Sequence, residues 1–422
     1  MNSWKTHIPE GSRDVLFEDC SNKIEITNTL RELYINSGYL EVLSPTLEFY
    51  DVFQGDDTSI EQEKMYKLFD NAGRILVLRP DMTMPIARIT ATKLKDSLYP
   101  LRLCYGGNIF RMNENWEGKI SEITQSGIEI IGSENSKADA EVIITAIQAL
   151  LAVGVKDFEL EIGQAEFFKG LTQDIELDRD EMERLRGLVG SKNFGALREF
   201  IDEKEAILVT DNLEALKKLP ELFGGIEILT KARNLTKNKR ALAAIDTIEK
   251  IYERIESLGL GAHISIDLGM VQNIDYYTGV IFRGYSSKVG TTIISGGRYD
   301  NLIGKFGAPM PAVGFAIDVD NILSVLLKQG SSNNKVKSKF LIHYENRLIG
   351  SAIRLAAQIR KRGFVSELGL FEEKEKALSY GDQKNIDKLI CMYENDKVQI
   401  IDIKNKKSYN EDVEKFIVSL GE

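Results

Sequence analysis

A carboxylate and an amide stand on one apolar face of the segment "ITQSGIEIIG", residues 123–132. If this segment is a strand, alternation puts five side chains on the same side: Ile123, Gln125, Gly127, Glu129 and Ile131. A glutamate is rarely buried without a partner, so we expect Glu129 to meet a cation or a hydrogen-bonding ligand. Gly127 is expected to leave an open space between the two polar side chains. The alternative is an internal ion pair of Glu129 with Arg79 or Arg111.

Two adjacent tyrosines, Tyr276 and Tyr277, lie in "GMVQNIDYYTGVIF", residues 269–282, which otherwise has the composition of a strand. In a strand they point to opposite faces, so that one packs and the other lines a cavity. No His, Cys, Lys or Arg occurs between Gly269 and Ile281. The stretch therefore brings no imidazole, thiol or cation of its own, which leaves open a catalytic site or a pocket that only holds a ligand.

Three further polar residues follow predicted strands. Asp81 and Thr83 come just after "GRILVLRP", and each side chain can accept a hydrogen bond from an ammonium group. Their alternative role is to cap the helix that follows, which contributes about 1 kcal/mol. Arg111 ends the apolar strand "PLRLCYGGNIFR", where a fixed guanidinium suits a carboxylate or a phosphate. Its alternative role is a structural salt bridge.

No motif in the sequence indicates a metal or an organic cofactor. "SGGRYDNLIG" is rich in glycine but has neither P-loop nor dinucleotide-binding spacing, so we expect it to let strands pack closely. The three cysteines, Cys20, Cys104 and Cys391, are far apart, and the three histidines do not cluster with them. Cys/His metal sites need such clusters, so we predict buried structural thiols and no cofactor.

The composition is that of an ordinary globular chain, with 43% hydrophobic and 28% charged residues. No apolar run is long enough to span a bilayer, and the N-terminus lacks the apolar core of a secretory signal, so we expect a cytoplasmic protein with no membrane partner. The net charge of −10 disfavours general nucleic-acid binding. Residues 331–422 differ, with 17 Lys and Arg against 14 Asp and Glu, which indicates a domain boundary.

The elements that position these residues alternate in type along the chain. Residues 21–38 predict a helix with Ser21 as its N-cap and Gly38 at its end, and residues 136–154 a second helix capped by Ser136. Strands dominate residues 96–164 and 263–320, and residues 100–132 are expected to form an antiparallel hairpin. Only amphipathic helices are predicted between about 165 and 258. We therefore predict an α+β domain over residues 1–328 with a helical insertion, a linker at 329–338, and a small α/β domain over 339–422.

An ordered set of motifs resembles the histidyl-tRNA synthetase family. The set runs from residue 9 to about residue 320: "PEGSRD", "GYLEVLSPTLE", "LRPDMT", "IFR", "TQSGIEIIG", "DYYTGVIF", "GGRYDNLI" and "PAVGFAID". The resemblance implies a class II synthetase fold, an antiparallel sheet flanked by helices, and a dimer. It also implies a histidine pocket built from one set of residues: Asp81, Thr83, Arg111, Gln125, Glu129, Tyr276 and Tyr277. In that pocket Asp81, Thr83 and Gln125 accept hydrogen bonds from the α-ammonium.

The sequence departs from the synthetase motifs where those carry positive charge. Gln272 and Asn273 stand where the synthetases have Arg-Gly, Asn321 stands at the place of an ATP-gripping arginine, and Lys119 and Ser121 replace part of the second motif. Loss of preorganised cations removes several kcal/mol of transition-state stabilisation, which is typical of abandoned adenylation.

That pattern resembles a non-catalytic branch of the family, the regulatory subunits of ATP phosphoribosyltransferase. The resemblance implies no enzyme activity of its own, a hetero-oligomer with the short-form catalytic subunit, and histidine as the ligand that mediates feedback inhibition in histidine biosynthesis. That subunit condenses ATP with phosphoribosyl pyrophosphate. Two alternatives stay open: a divergent, active histidyl-tRNA synthetase, and a chain whose C-terminal domain binds RNA without catalysis.

Overall fold

The computed structural model describes residues 4–55, 61–112, 120–204, 212–271, 276–330, 338–394 and 397–420. The chain divides into two compact units, residues 1–332 and 333–422. Within the part of the chain described here, no helix is both long and apolar enough to cross a bilayer. The same residues contain no group of three or more His, Cys, Asp and Glu able to hold a metal ion.

The first unit contains twelve strands and ten α-helices among its described residues, together with short 3-10 turns. The strands are β1 (Leu40–Glu41), β2 (Leu47–Phe49), β3 (Lys67–Phe69), β4 (Ile75–Leu78), β5 (Leu101–Phe110), β6 (Glu122–Ile131), β7 (Glu159–Gln164), β8 (Phe223–Gly224), β9 (Ile264–Asp267), β10 (Val280–Ser286), β11 (Val289–Arg298) and β12 (Ala312–Asp318). The helices are α1 (Phe17–Asn36), α2 (Thr83–Thr92), α3 (Ser136–Ala152), α4 (Ala165–Thr172), α5 (Arg179–Gly190), α6 (Phe194–Glu203), α7 (Leu213–Lys218), α8 (Glu227–Leu235), α9 (Lys239–Glu256) and α10 (Val319–Gln329).

A nine-stranded sheet forms the centre of this unit, in the order β1-β5-β6-β12-β11-β10-β7-β9-β8. The run from β5 to β7 is antiparallel throughout, whereas β1 and β9 add parallel pairs at the two sides. A separate three-stranded sheet has the order β2-β4-β3. The predicted antiparallel hairpin is β5 and β6, and the predicted α+β class with an antiparallel core is confirmed.

Helices α1, α3 and α10 cover one face of the large sheet, which we call the back face. Ile26, Leu30 and Tyr34 recur every four residues along α1, so they form one buried stripe. They pack in the same apolar cluster as Ile128 and Ile130 of β6. Because neighbouring residues of a strand alternate between faces, Gln125 and Glu129 lie on the opposite side, the front face.

The predicted helical insertion lies between β7 and β9. Helices α4 to α9 enclose an apolar cluster of their own, which includes Phe167, Phe168, Phe200 and Ile248. Of the residues described there, only Phe223–Gly224 are extended into a strand, and that strand pairs antiparallel with β9 at the edge of the large sheet.

Neither of the two residues predicted as N-caps, Ser21 and Ser136, caps its helix. Helix α1 begins a turn earlier, after Leu16, and the Ser21 hydroxyl donates to the Phe17 carbonyl inside the helix. Helix α3 is capped by Asn135, whose side chain accepts from the Lys137 amide. Gly38 does end α1 as predicted, because its φ of +87° is a left-handed conformation that glycine adopts without strain.

The second unit is a small α/β domain whose described residues form five strands and three α-helices. These are β13 (Lys339–His343), β14 (Val365–Leu368), β15 (Lys388–Met392), β16 (Lys397–Asp402), β17 (Lys407–Asp412), α11 (Ile349–Lys361), α12 (Lys374–Gln383) and α13 (Val413–Ser419). The strand order is β14-β13-β15-β16-β17, with the first three parallel and the last two antiparallel. The unit has its own apolar clusters on the two faces of the sheet, around Phe340 and Leu341.

Candidate binding cavity

All seven predicted site residues line one cavity on the front face of the large sheet, with a volume of about 90 Å³. Strand β6 supplies Gln125 and Glu129, and Arg111 follows the end of β5. Asp81 and Thr83 lie at the start of α2. The other residues that line the cavity are Tyr276, Tyr277, Ser295, Gly296, Gly297, Tyr299, Gly314, Phe315 and Ala316.

Glu129 is the most buried polar group of the cavity, with 1% of its surface exposed. Its carboxylate accepts a hydrogen bond from the Tyr299 hydroxyl at 2.5 Å and one from Thr83 Oγ1 at 3.2 Å. The predicted alternative of an ion pair with Arg79 or Arg111 is not found, because no Lys or Arg of the described chain lies within 4.0 Å of it. Burial raises the pKa of Glu129 to about 8, although these two hydrogen bonds oppose the shift.

Two glycines decide how close the strands and side chains come at Glu129. A Cβ on Gly314, its partner on β12, would lie 1.7 Å from Glu129 Oε2 and 2.3 Å from the Ile128 carbonyl oxygen. The expected open space at Gly127 is wrong, because Tyr105 fills it. A Cβ on Gly127 would lie 2.5 Å from the Tyr105 hydroxyl, which donates to the Phe315 carbonyl oxygen.

Asp81 both caps a helix and lines the cavity. Its Oδ1 accepts from the Met84 amide at 2.9 Å, so the predicted alternative of a helix cap is found in the structure. Burial raises the pKa of Asp81, and the backbone amides and the nearby Arg111 oppose that shift. Thr83, the first residue of α2, donates to Glu129 and keeps its lone pairs available as acceptors.

Arg111 faces the cavity without a carboxylate partner. Its Nε donates to the Pro80 carbonyl oxygen at 2.8 Å, which fixes the plane of the guanidinium. The alternative of a structural salt bridge is not found, since no Asp or Glu within the described ranges lies within 4.0 Å. Burial lowers the pKa of Arg111, against the attraction of Asp81 and Asp318.

The two tyrosines do not point to opposite faces, so that prediction is wrong. Strand β10 begins only at Val280, and the residues before it form a turn, where strand alternation does not apply. Both rings line the cavity, with centroids 4.8 Å apart and planes at 89°. Tyr277 lies on Gly297, where a Cβ would be 2.7 Å from the ring. The glycines of "SGGRYDNLIG" thus allow close packing, as predicted.

Sequence reasoning missed Tyr299, which holds the Glu129 carboxylate through its hydroxyl. It follows the end of β11, in the motif "SGGRYDNLIG", whose glycines are predicted to allow close packing. Alternation from Ser295 and Gly297 predicts Tyr299 on the same face, and that signal was available in the sequence.

The cations that adenylation requires are scarce around the cavity. Arg111 is the only Lys or Arg among the described residues that line it. Asn321, at the place of the synthetase arginine, donates through Nδ2 to the Thr292 carbonyl oxygen at 3.0 Å and to Asp318 at 3.1 Å. Lys119, Gln272 and Asn273 lie outside the described residues.

The cavity therefore combines two carboxylates, three tyrosine hydroxyls, an amide and one guanidinium. Such a set can hold a small molecule that carries both hydrogen-bond donors and a carboxylate. The described lining has no thiol, imidazole or lysine that would act as a nucleophile.

Comparisons with known proteins agree on the fold and on a group of relatives. Residues 11–322 match the family described as histidyl-tRNA synthetase. The ATP phosphoribosyltransferase regulatory subunit of Clostridium kluyveri is 52% identical over 92% of this chain and 99% of its own length. The protein of the same name from Clostridium novyi is 46% identical over the full length of both chains.

Two solved structures share this architecture. An ATP phosphoribosyltransferase regulatory subunit/histidyl-tRNA synthetase from Bacillus halodurans has a TM-score of 0.81 at 33% identity, over 92% of this chain and 99% of that one. A histidyl-tRNA synthetase from Nostoc sp. has a TM-score of 0.81 at 20% identity, over 99% of both chains, which shows a common fold alone.

Proposed function

We infer the function of this chain from its family, because it belongs to the ATP phosphoribosyltransferase regulatory subunits, which share the fold of the histidyl-tRNA synthetases. It acts as the regulatory subunit of that transferase in histidine biosynthesis. Its partner is the short-form catalytic subunit, with which it forms a hetero-oligomer. It carries no aminoacylation activity.

The ligand of the cavity is L-histidine. Asp81, Thr83 and Gln125 accept hydrogen bonds from its α-ammonium, and Arg111 pairs with its carboxylate. Glu129 and a tyrosine hydroxyl, from Tyr276 or Tyr277, hold the two imidazole nitrogens. The observation that supports this assignment best is Glu129, a buried carboxylate that faces the cavity with no Lys or Arg of the described residues paired to it.

Feedback inhibition follows if histidine binds two states of the hetero-oligomer with different affinity. A ligand shifts an equilibrium only by the difference between its binding free energies in the two states. The regulatory chain therefore needs a histidine site and a contact with the catalytic subunit, but no catalytic group of its own.

Calorimetry with L-histidine tests the site, with Gly297→Ala and Gly290→Ala as a matched pair on β11. A Cβ on Gly297 would lie 2.6 Å from the Val280 carbonyl oxygen on β10 and 2.7 Å from the Tyr277 ring, so it would displace the cavity wall, whereas a Cβ on Gly290 meets nothing within 4 Å. We expect Gly297→Ala to weaken binding by about ten-fold or more, a loss of about 1.4 kcal/mol, and Gly290→Ala to bind like the parent chain.

The regulatory role is tested by mixing the chain with the catalytic subunit and following pyrophosphate release from phosphoribosyl pyrophosphate. Activity should rise when the chain is added and fall again with L-histidine. If histidine binds neither the chain nor its complex, the regulatory assignment is wrong.

Arg111 is the one feature of the described cavity that favours the second candidate, a divergent histidyl-tRNA synthetase. Histidine-dependent pyrophosphate exchange by the chain alone would support that candidate. Gln272→Arg alone should not restore exchange, because Asn321 and the altered second motif would still lack their cations.

A further inference from the structure

The described residues just before the two tyrosines are part of the core of the helical insertion. Leu268, Met270 and Val271, which follow β9, are buried in the cluster formed by α4 to α9. Tyr277 packs against the same cluster, whereas Tyr276 packs against the cluster around α2 and β5. The paired tyrosines thus join the insertion to the wall of the cavity.

A lysine of the insertion holds the start of this segment. Asp267, 4% exposed at the end of β9, accepts from the Gly269 amide at 2.9 Å through Oδ1. Its Oδ2 lies 3.1 Å from Nζ of Lys192, in the turn between α5 and α6. Lys192 has a φ of +52° and lies over the Phe223 ring at 4.1 Å. A lysine in this conformation is uncommon, and its contacts compensate the strain.

A second lysine of the insertion holds the end of the segment. Lys169 of α4 donates from Nζ to the Tyr277 carbonyl oxygen at 3.0 Å. The first residue of the same helix, Ala165, donates its amide to the Gly279 carbonyl oxygen at 2.9 Å. Glu166 of α4 lies 3.8 Å from Lys169 and accepts from Arg240 of α9. Helix α4 therefore holds the backbone of Tyr277 and Gly279 in place.

We propose that Lys169 and Lys192 are positioning residues of the cavity, through which the helical insertion sets histidine affinity and responds to histidine binding. This rests on the proposed function, since it takes histidine as the ligand. The two lysines act through the backbone of the tyrosine segment and do not touch the ligand. If ordering of the insertion raises the affinity for histidine, thermodynamic linkage requires that histidine binding in turn favours the ordered insertion.

The test is hydrogen exchange and calorimetry on the full chain, with Lys169→Met, Lys192→Met and the control Lys204→Met. Lys204 is an insertion lysine that pairs with Glu181 and contacts neither end of the segment. Without ligand, the first two changes should speed amide exchange in peptides that cover residues 268–282, and the control should not. Equal exchange in all four proteins would overturn the proposal.

Calorimetry then measures the effect on the ligand. We expect Lys169→Met to bind histidine about ten-fold more weakly, the control to bind normally, and Lys169→Arg to recover part of the loss. In the parent chain, histidine should slow exchange in α4 and α9. Protection confined to the strands of the cavity, or full affinity in Lys169→Met, would contradict the proposal.

Lys192→Met leaves Asp267 buried without its cation, so this variant is paired with the double change Lys192→Met and Asp267→Asn. The double variant removes both charges, and its amide oxygen still accepts from Gly269. It should fold and still show faster exchange in residues 268–282.

The two proposals fail in different ways. If the parent chain binds no histidine, the proposed function is wrong. Hydrogen exchange without ligand then still decides whether the two lysines position the segment.

Discussion

At the scale of single residues, the cavity depends on groups that are costly to bury. Glu129 pairs with no Lys or Arg among the residues that the structure describes, and its two hydrogen bonds come from neutral hydroxyls. A ligand with N–H donors would therefore stabilise the ionised form of this carboxyl group, which the fold itself leaves poorly compensated. For the proposed histidine ligand, this would be a main source of affinity.

The raised pKa of Glu129 makes the stability of the ligand-free protein depend on pH. Its pKa is about 8 in the folded protein, against an ordinary value of 4.5. As pH rises between these values, the unfolded chain releases the proton and the folded chain keeps it, so the free energy of unfolding falls. Besides Tyr299 and Thr83, Asp81 acts on this group and raises the pKa further.

Denaturant unfolding at pH 5 and pH 9 measures this effect, with Glu129→Gln as the comparison. The variant should lose less stability than the parent chain over this range, because an amide cannot titrate. It should also bind histidine more weakly at both pH values. An identical loss in both proteins would show that Glu129 does not titrate in this window.

Sequence reasoning located the cavity well but misjudged individual orientations. Alternation along β6 brought Gln125 and Glu129 to one face correctly, because a long central strand is regular. The same rule was wrong for Tyr276 and Tyr277, which precede their strand. It also did not reveal that Tyr105 fills the space at Gly127, since cross-strand register is not visible in a single sequence.

At the scale of elements, one carboxylate joins three parts of the chain on the back face of the large sheet. Asp320 of α10 is 2% exposed and pairs with Arg13 at 2.9 Å and with Lys23 of α1 at 2.8 Å. Its other oxygen accepts from the amide of Thr124, the residue before Gln125, at 2.8 Å. The N-terminal segment, α1 and β6 therefore share one buried acceptor.

Asp320→Asn should destabilise the protein by about 3 kcal/mol, because a partly buried pair of cations loses its countercharge. The control is Asp246→Asn, which breaks an ion pair of the exposed Asp246 with Arg233 and should cost at most about 1 kcal/mol. Guanidinium unfolding gives both values. Equal, small losses would show that Asp320 is not a centre of this packing.

Element boundaries show why local sequence signals gave only part of the answer. Helix α1 begins at Phe17 without a capping side chain, so no residue type in the sequence indicates where it starts. Helix α5, in contrast, begins with a complete capping box between Asp178 and Glu181. Strand pairing across the insertion, as between β7 and β9, joins residues about 100 positions apart, and a single sequence carries no signal for it.

At the scale of the whole molecule, an exposed apolar face on the three-stranded sheet is a candidate contact for the dimer that the resemblance to the synthetases implies. Phe49, Leu76 and Leu68 lie side by side across β2, β4 and β3. The exposed fraction is 44% for Phe49, 41% for Leu68 and 46% for the neighbouring Leu47. An apolar row of this kind on an outer sheet face is typical of a protein–protein contact.

The double change Phe49→Lys and Leu68→Lys should turn a dimer into a monomer of 47.5 kDa in analytical ultracentrifugation. Leu98→Lys is the matched control, since Leu98 is 92% exposed but lies outside this sheet. A dimer that survives the double change would place the contact between copies on another surface.

The packing of the tyrosine segment has a consequence for the way this architecture can change over evolutionary time. In sequence, the helical insertion looks like a module that could be cut out between β7 and β9. Its core, however, includes Leu268, Met270 and Val271, which lead directly to the tyrosines. A lineage that lost the insertion would expose these side chains and would have to rebuild the cavity wall at the same time, so insertion and cavity should be retained or lost together.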